Sequence, residues 1–269
     1  MFSEDKNVAA AQKVMLEILV EIHRICVENN ITYWLEAGTL LGAIRHKGFI
    51  PWDDDCDVSM PRKDYERFLQ IAQEKLPTTM FLQTKETDKA YPLPWAKIRK
   101  NGTLLIETGE TGEENYHHGI FVDIFPYDYY ESAEVIKKLQ WERETKDAKK
   151  RYPKGSLQRV LHGLYANVIL CIPMHAIKEK RKYLISHRNE MNSKYNHFFS
   201  YAADVGYIYP TTCDEIFPVK LAEDVFEGCT FYVPNDAKKL LEATYGETYM
   251  KLPPVEQRKT HAKRIEVNL

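Results

Sequence analysis

The chain has 269 residues, with 37 lysines and arginines against 39 aspartates and glutamates, and 44% of its residues are hydrophobic. This balance excludes a wholly disordered chain and predicts one globular domain that carries an insertion. The five cysteines never form a C-x-x-C pair, so the sequence indicates neither a disulfide framework nor a zinc site and favours a reducing compartment. Since no apolar run is long enough to cross a bilayer, we expect a cytoplasmic protein.

The first part of the chain predicts a helix, a strand and a second helix. Apolar residues recur at helical spacing from about Asp5 to Asn30, which indicates an amphipathic helix that covers a sheet. Residues 31–36 are β-branched and aromatic and predict a strand, and TLLGAIRHK predicts the next helix with Thr39 as its N-cap. Unpaired amides at that helix start would form an anion site, and Gly38 would let a phosphate approach the backbone.

Four aspartates fall within the five residues DDDCD that follow this helix. Carboxylates packed so closely repel one another unless a positive charge lies among them. Asp55 and Asp57 begin a stretch that alternates polar and apolar residues, so a strand would direct both side chains to one face. Two such carboxylates with a third from elsewhere hold Mg²⁺ or Mn²⁺ beside substrate phosphates. The alternative is a solvated acidic loop, against which the adjacent strand pattern counts.

Two later strands carry further charged residues. WAKIRKN alternates as a strand and places Lys97 and Arg99 on one face, where they would neutralise phosphate oxygens or simply form an exposed strand face. GIFVDIFPYD is apolar enough for a central strand, and Asp123 interrupts it. A buried carboxylate needs a partner. We expect that partner to be the cation held by Asp55 and Asp57; backbone amides or an arginine are the alternative.

The middle of the chain has a different character. Between Lys137 and Arg188 there are 14 lysines and arginines against 4 acidic residues, which predicts a helical basic insertion at 131–200 with an anionic partner. Its apolar piece fits either a buried helix of a bundle or a surface-seeking helix at the inner membrane surface. The final third returns to strand, turn and helix, with a helix that starts at Asn235 or Asp236 and ends at Gly246.

Three blocks of this sequence resemble the LicD family, whose wider group includes fukutin and the fukutin-related protein. They are GTLLGAIRHKGFIPWDDDCDVSM, GIFVDIFPYD and FEGCTFYVPNDAKKLLEATYGETYMKLPP. The resemblance covers roughly residues 30–130 and 215–260, and the first block is specific enough that chance agreement is improbable. It implies an α/β (α+β) fold of the nucleotidyltransferase type, in which helices flank a mixed central sheet.

The resemblance also implies a site. In that superfamily a Gly-Ser or Gly-Gly turn precedes an aspartate pair, and a third acidic residue follows on a neighbouring strand. Here these positions are Gly38-Thr39, Asp55 with Asp57, and Asp123; the threonine departs from the superfamily pattern but is similar to the LicD group itself. The hypothesis is that the three aspartates are the metal ligands and catalytic residues, with Asp123 orienting or deprotonating the acceptor hydroxyl.

Four basic side chains complete the hypothesis as substrate-binding residues: Lys97, Arg99 and, as second-rank candidates, Arg45 and His46. The implied reaction is the Mg²⁺-dependent transfer of phosphocholine from CDP-choline to a glycan acceptor of teichoic acid or lipopolysaccharide, whereas the fukutin branch transfers ribitol phosphate. We expect a lipid-linked acceptor at the cytoplasmic membrane face and no nucleic-acid partner. The aromatic residues nearest the motifs, which would suit a quaternary ammonium, are Trp34, Trp52, Trp95 and Tyr91.

Two other classes of protein share the acidic motif. A metal-dependent glycosyltransferase binds a nucleotide sugar through an Asp-x-Asp pair, although the Gly-Thr turn and Asp123 argue against it. A binding module would hold a cation without catalysis.

Overall fold

The structure is a computed structural model that describes residues 5–130, 157, 160, 198–201 and 221–267. The chain divides into two compact units, one formed by Met1–Pro126 with Pro218–Leu269 and the other by Tyr127–Phe217. The predicted basic insertion at 131–200 lies almost entirely outside the described residues. Its helices, its contact with a membrane and the division of the chain into one domain with an insertion therefore stay predictions.

Within the described residues, four helices and ten strands carry the fold. The helices are α1 (Lys6–Glu28), α2 (Ala37–His46), α3 (Arg62–Lys75) and α4 (Ala237–Tyr245). The strands are β1 (Trp34–Leu35), β2 (Asp57–Pro61), β3 (Met80–Gln83), β4 (Ala96–Lys100), β5 (Leu104–Glu107), β6 (Phe121–Tyr130), β7 (Phe198–Tyr201), β8 (Leu221–Phe226), β9 (Cys229–Pro234) and β10 (Ala262–Glu266).

The central sheet has the strand order β1-β2-β6-β4-β3, and the far end of β6 pairs with β7 inside the second unit. Strands β5 and β10 form one antiparallel pair, and β8 and β9 form another. Helix α1 packs against β4 and helix α3 against β2. The predicted α/β class, with a mixed central sheet flanked by helices, is confirmed.

Alternation along the strands gives this sheet two chemically different faces. In the register of β4 with β6, Ile98 lies opposite Val122, and Lys97 lies opposite Asp123. Successive side chains in a strand point to opposite faces. One face is therefore apolar and buried under the helices, and the other presents charged side chains.

Local signals in the sequence explain the ends of the helices. The Asp5 side chain accepts hydrogen bonds from the amides of Asn7 and Val8 at the start of α1, as an N-cap does. Asp236 accepts from the amide of Lys239 at the start of α4, and Gly246 is the C-cap of that helix. The predicted helices at both ends of the chain are confirmed.

Three local predictions around the first motif are wrong. Only Trp34–Leu35 of the stretch 31–36 forms a strand, and α2 begins at Ala37 with Glu36 rather than Thr39 as its N-cap residue. The hydroxyl of Thr39 is used elsewhere, in a bond described below. Asp55 precedes β2, which begins at Asp57, so Asp55 reaches its neighbours from a loop rather than from a strand.

Candidate active site

Small residues at the start of α2 bring this helix against the aspartate motif. Thr39 is buried, and its Oγ1 accepts a hydrogen bond of 2.8 Å from the backbone amide of Asp57. Gly38 is in contact with Asp53, because a Cβ at Gly38 would stand 2.6 Å from Asp53 Oδ2. Ala37 has φ of +47°, a strained conformation for a residue with a side chain. The helix start predicted to face a phosphate thus faces a carboxylate in this structure.

The three aspartates predicted to act together lie close enough to perturb one another. Burial raises the pKa of the Asp57 carboxyl well above its usual range, and the negative charges of Asp55 and Asp123 raise it further. Asp53 is a fourth member that the sequence reasoning missed. Burial and the adjacent Asp55 raise the pKa of Asp53 well above its usual range, and the two carboxyl groups share a hydrogen bond. Burial also raises the pKa of Asp55.

Asp57 is the member of this group that most needs a cation. Its side chain is buried, with 8% of the residue exposed. No side chain or backbone amide of the described residues donates a hydrogen bond to its carboxylate. An unpaired buried carboxylate costs several kcal/mol, so the geometry fits a bound divalent cation. Asp53 and Asp55 lie beside it with further carboxylate oxygens, the ligand type that Mg²⁺ prefers.

Asp123, by contrast, already has protein partners. Lys97 Nζ lies 3.1 Å from Asp123 Oδ2, and Trp95 Nε1 donates a hydrogen bond of 2.6 Å to Oδ1. Burial raises the pKa of Asp123 to about 6, although Lys97 opposes this shift. Lys97 on the neighbouring strand thus supplies a counter-charge for Asp123 that the sequence analysis did not anticipate, and metal ligation by Asp123 stays a prediction.

Lys97 is the charged side chain that joins this group from β4. It is 1% exposed and lies between Asp123 and Glu107, whose Oε2 is 3.3 Å from Lys97 Nζ. The ammonium also lies 3.3 Å from the centroid of the Phe121 ring. Sequence reasoning missed Glu107, which comes from β5 outside the matching blocks.

Arg99 shares a strand face with Lys97 as predicted, but it has other partners. Its Nε donates to Gln83 and its Nη1 to the carbonyl of Gly119, each at 2.7 Å. The guanidinium also lies over the ring of Phe121, and burial lowers its pKa. These contacts connect β4 to β3 and to the loop before β6. A direct contact of Arg99 with substrate phosphate stays a prediction.

Arg45 and His46 contact other parts of the protein, although Arg45 is close enough to Asp53 for its charge to oppose the rise in the pKa of that carboxyl. Arg45 Nη1 donates to the carbonyl of Tyr249 at 2.7 Å and to that of Lys251 at 3.3 Å. Burial lowers the pKa of Arg45 and also that of His46. His46 packs edge-on against Trp52, with ring centroids 6.4 Å apart. In this structure both residues hold other protein segments, so their role as phosphate ligands stays a prediction.

The remaining aspartate of the motif, Asp54, fastens the chain's last strand to the site. Its carboxylate is fully buried and accepts hydrogen bonds from the amides of His261 (2.9 Å) and Ala262 (2.6 Å). Burial alone would raise the pKa of Asp54, but these bonds and the His261 side chain lower it. The bond to Asp54 raises the pKa of His261 to about 9. Nothing in the sequence near His261 signals this contact.

Asp53, Asp54 and His261 also form a group whose ligand atoms all lie within 4.8 Å of one another, close enough to hold a metal ion. The Asp54 oxygens are already committed to three amide contacts. The carboxylate oxygens of Asp53, Asp55 and Asp57 are therefore more available to bind a metal ion. The structure shows an acidic group suited to a metal, and the identity of the ion is taken up below.

The four aromatic residues proposed to bind a quaternary ammonium group differ in their exposure. Trp34 and Tyr91 are 1% and 3% exposed, so neither presents a face to a ligand. Trp95 is half-buried beside Asp123, and Trp52 lies under the guanidinium of Arg258, 4.7 Å from the ring centroid. Half of the proposed set is therefore excluded.

The chain is similar to several known proteins. Residues 30–175 match the family model described as LicD/FKTN/FKRP, nucleotidyltransferase domain. The chain is 31% identical to the lipopolysaccharide cholinephosphotransferase LicD of Haemophilus influenzae over 265 residues, which are 93% of this chain and 94% of that protein.

The chain belongs to the LicD family.

Other relatives cover less of the chain. The human ribitol 5-phosphate transferase FKRP is 26% identical over 143 residues, which are 53% of this chain and 25% of FKRP. An uncharacterized protein of Rickettsia typhi is 46% identical over 57 residues, 21% of this chain and 18% of that protein. The named relatives transfer phosphate-linked groups, and the predicted class of enzyme, a phosphotransferase for substituted phosphate groups, is confirmed. Among the described residues, no helix has the length and apolarity of a membrane span.

Proposed function

We propose that this LicD-family enzyme transfers phosphocholine from CDP-choline to a sugar hydroxyl of a cell-surface glycopolymer precursor, of the lipopolysaccharide or teichoic acid type, with Mg²⁺ or Mn²⁺ as cofactor. The name of the Haemophilus relative supports the choline group and the lipopolysaccharide acceptor. The observation that carries the proposal is the buried Asp57 carboxylate, which has no donor among the described residues and lies beside two further carboxylates.

Each residue then has a distinct task. Asp55 and Asp57 hold the divalent cation, with Asp123 or Asp53 as a further ligand, and the cation screens the charge of the donor diphosphate when bound. Lys97 balances negative charge that develops on the transferred phosphate. Phosphoryl transfer depends on positioning and charge neutralisation more than on covalent help, so this set is sufficient.

Asp123 has the environment of a general base. A pKa of about 6 lies close to neutral pH, where a base is most effective. In the proposed step the acceptor oxygen forms a bond to the phosphorus of phosphocholine, and the bond from that phosphorus to the oxygen of CMP breaks. The hydroxyl proton passes to Asp123, and CMP leaves with the bonding electron pair.

Ribitol phosphate or another CDP-linked polyol phosphate is the second candidate for the transferred group. The similarity to human FKRP, which covers about half of the chain, supports this candidate. The Asp-x-Asp glycosyltransferase is now the weaker alternative, because the named relatives transfer phosphate-linked groups. A phosphodiester rather than a glycosidic linkage in the product would exclude it.

Incubating the protein with CDP-choline, CDP-ribitol and CDP-glycerol, with Mg²⁺ and a glycan acceptor, and measuring CMP release tests the proposal. CDP-choline should give the highest rate. Asp55→Asn and Asp57→Asn should each abolish release and keep the circular dichroism of the native protein, whereas Asp64→Asn, which affects an ion pair with Arg67 on α3, should keep full activity. Turnover that survives in both site variants would refute the assignment.

Calorimetry separates the enzyme from a cation-binding module. CDP-choline should bind more tightly with Mg²⁺ than without it, because the cation compensates the donor's charge. A module that holds only a cation would show no nucleotide dependence.

A further inference from the structure

The segment Met250–Arg264, which we call the C-terminal segment, exposes apolar side chains. Met250 is 51% exposed, Leu252 is 54% exposed and Val255 is 72% exposed. Burying such residues is favourable, and exposed apolar groups clustered within six residues mark interaction sites more often than isolated ones do. Exposure of these three side chains to water is therefore unfavourable.

The same segment is strongly basic. It contains five lysines and arginines against one glutamate, in a chain whose net charge is −2. Lys251 and Lys259 are exposed, and neither forms an ion pair with any of the described residues. Lys263 and Arg264 are exposed as well. Arg264 pairs with Glu266 and Lys263 donates to the carbonyl of Glu110, so among the described residues Lys251 and Lys259 are the unpaired lysines near the apolar side chains. Exposed apolar side chains beside unpaired lysines are typical of a segment that lies in the interface of an anionic bilayer.

Contacts with the candidate active site hold the backbone of this segment in place. At one end Arg45 donates to the carbonyl of Lys251, and at the other Asp54 accepts from the amides of His261 and Ala262. Between them the Arg258 guanidinium lies over Trp52, next to the aspartate motif. The exposed apolar side chains are therefore presented from a fixed backbone at the rim of the site.

We propose that the C-terminal segment docks on an anionic lipid surface and so holds the site at the membrane that carries the acceptor. This inference deepens the proposed function, on which the choice of a lipid-linked acceptor rests. A soluble polyanion would explain the lysines but not Met250, Leu252 and Val255, which gain nothing from it. A bilayer interface accommodates both kinds of side chain at once.

Co-sedimentation with vesicles tests the proposal in the full chain without any turnover. One set of vesicles is phosphatidylcholine alone, and the other is phosphatidylcholine and phosphatidylglycerol in equal parts. The protein should sediment with the anionic vesicles and lose this binding at high salt. Lys251→Gln with Lys259→Gln should lower partitioning about thirtyfold, from the free energy that two lysines gain at an anionic surface.

Two matched apolar variants distinguish vesicle binding by the C-terminal segment from nonspecific binding by any exposed apolar side chain. Met250→Ser with Leu252→Ser and Val255→Ser should abolish vesicle binding. Three exposed valines elsewhere, when changed to serine together, should leave it intact; they are Val20, Val27 and Val225, at 38%, 45% and 46% exposure. Unchanged circular dichroism shows that each variant is folded. If the apolar variant does not fold, the lysine variant tests the proposal in its place.

The outcomes are distinct from those for the reaction. Vesicle binding that requires the segment supports the inference even if CMP release fails. Binding that persists in both segment variants, or that falls equally in the valine control, overturns it. So does binding to heparin without binding to anionic vesicles, which would assign the segment to a soluble polyanion while CMP release continues to test the reaction.

Discussion

Replacing Asp57 by Asn should stabilise the metal-free protein and at the same time remove its response to metal. The change keeps the side-chain volume and deletes a buried negative charge that lies beside Asp55 and Asp123 and accepts no hydrogen bond from the described residues. Because leaving a buried polar group without a partner costs about 1–3 kcal/mol and a charged group no less, we expect Asp57→Asn to stabilise the metal-free protein by about 1–3 kcal/mol.

The assay is thermal unfolding in EDTA at about pH 8, where protons neutralise the buried carboxyl groups less than they do at neutral pH. In a chain of this size 1 kcal/mol shifts the melting temperature by about 2–4 °C, so Asp57→Asn should melt about 2–12 °C above the wild type. Saturating Mn²⁺ at about a hundred times its Kd should stabilise the wild type by about 2.7 kcal/mol and leave the variant unchanged.

Asp54→Asn is the matched control, because it removes the neighbouring charge that is hydrogen-bonded. Asp54 accepts from the amides of His261 and Ala262, and bonds to a charged acceptor contribute about 1.5–3 kcal/mol each. The control should therefore melt below the wild type in EDTA. Two aspartates of one motif would respond with opposite signs, and a fall in melting temperature for both would refute the electrostatic reasoning.

Three further results are expected. The pKa of His261 is raised to about 9 by Asp54, so its stabilising effect is complete below about pH 6.5 and is lost as the pH rises through 9. Because the His261 side chain is 62% exposed, urea unfolding should give less than about 1 kcal/mol between wild type and His261→Ala, and a pH-independent difference would contradict the assignment. Gly38→Ala would put a Cβ 2.6 Å from Asp53 Oδ2 and should lower kcat about a hundredfold with little change in KM; a wild-type kcat would refute the close packing. Lys97→Met should destabilise the metal-free protein by about 3 kcal/mol, tighten Mn²⁺ binding in calorimetry and slow turnover, and weaker Mn²⁺ binding would show that the lysine does not compete with the ion.

The sequence predicted what depends on short-range pattern. Alternation along β4 and β6 placed Lys97 and Asp123 on strand faces, and their pairing across the two strands follows that alternation. Capping residues such as Asp5 marked the helix ends, because an N-cap is a contact between near neighbours in the chain. The site is predictable to this extent from local spacing.

What failed depends on contacts between distant segments. Thr39 looked like an N-cap by its position, but its hydroxyl is bonded to the amide of Asp57, 18 residues away. Asp123 looked unpaired within its apolar strand, since the strand pairing that brings Lys97 opposite to it spans 26 residues. No short-range sequence pattern indicates which lysine pairs with which carboxylate.

The hydrogen bond between Asp54 and His261 determines how late in the synthesis of the chain the site can form. The two residues are separated by 207 positions, so the motif near residue 54 leaves the ribosome long before its partner strand exists. Until Ala262 emerges, a carboxylate destined for the interior remains hydrated and the site is unfinished. A nascent or truncated chain that lacks this strand should therefore be inactive.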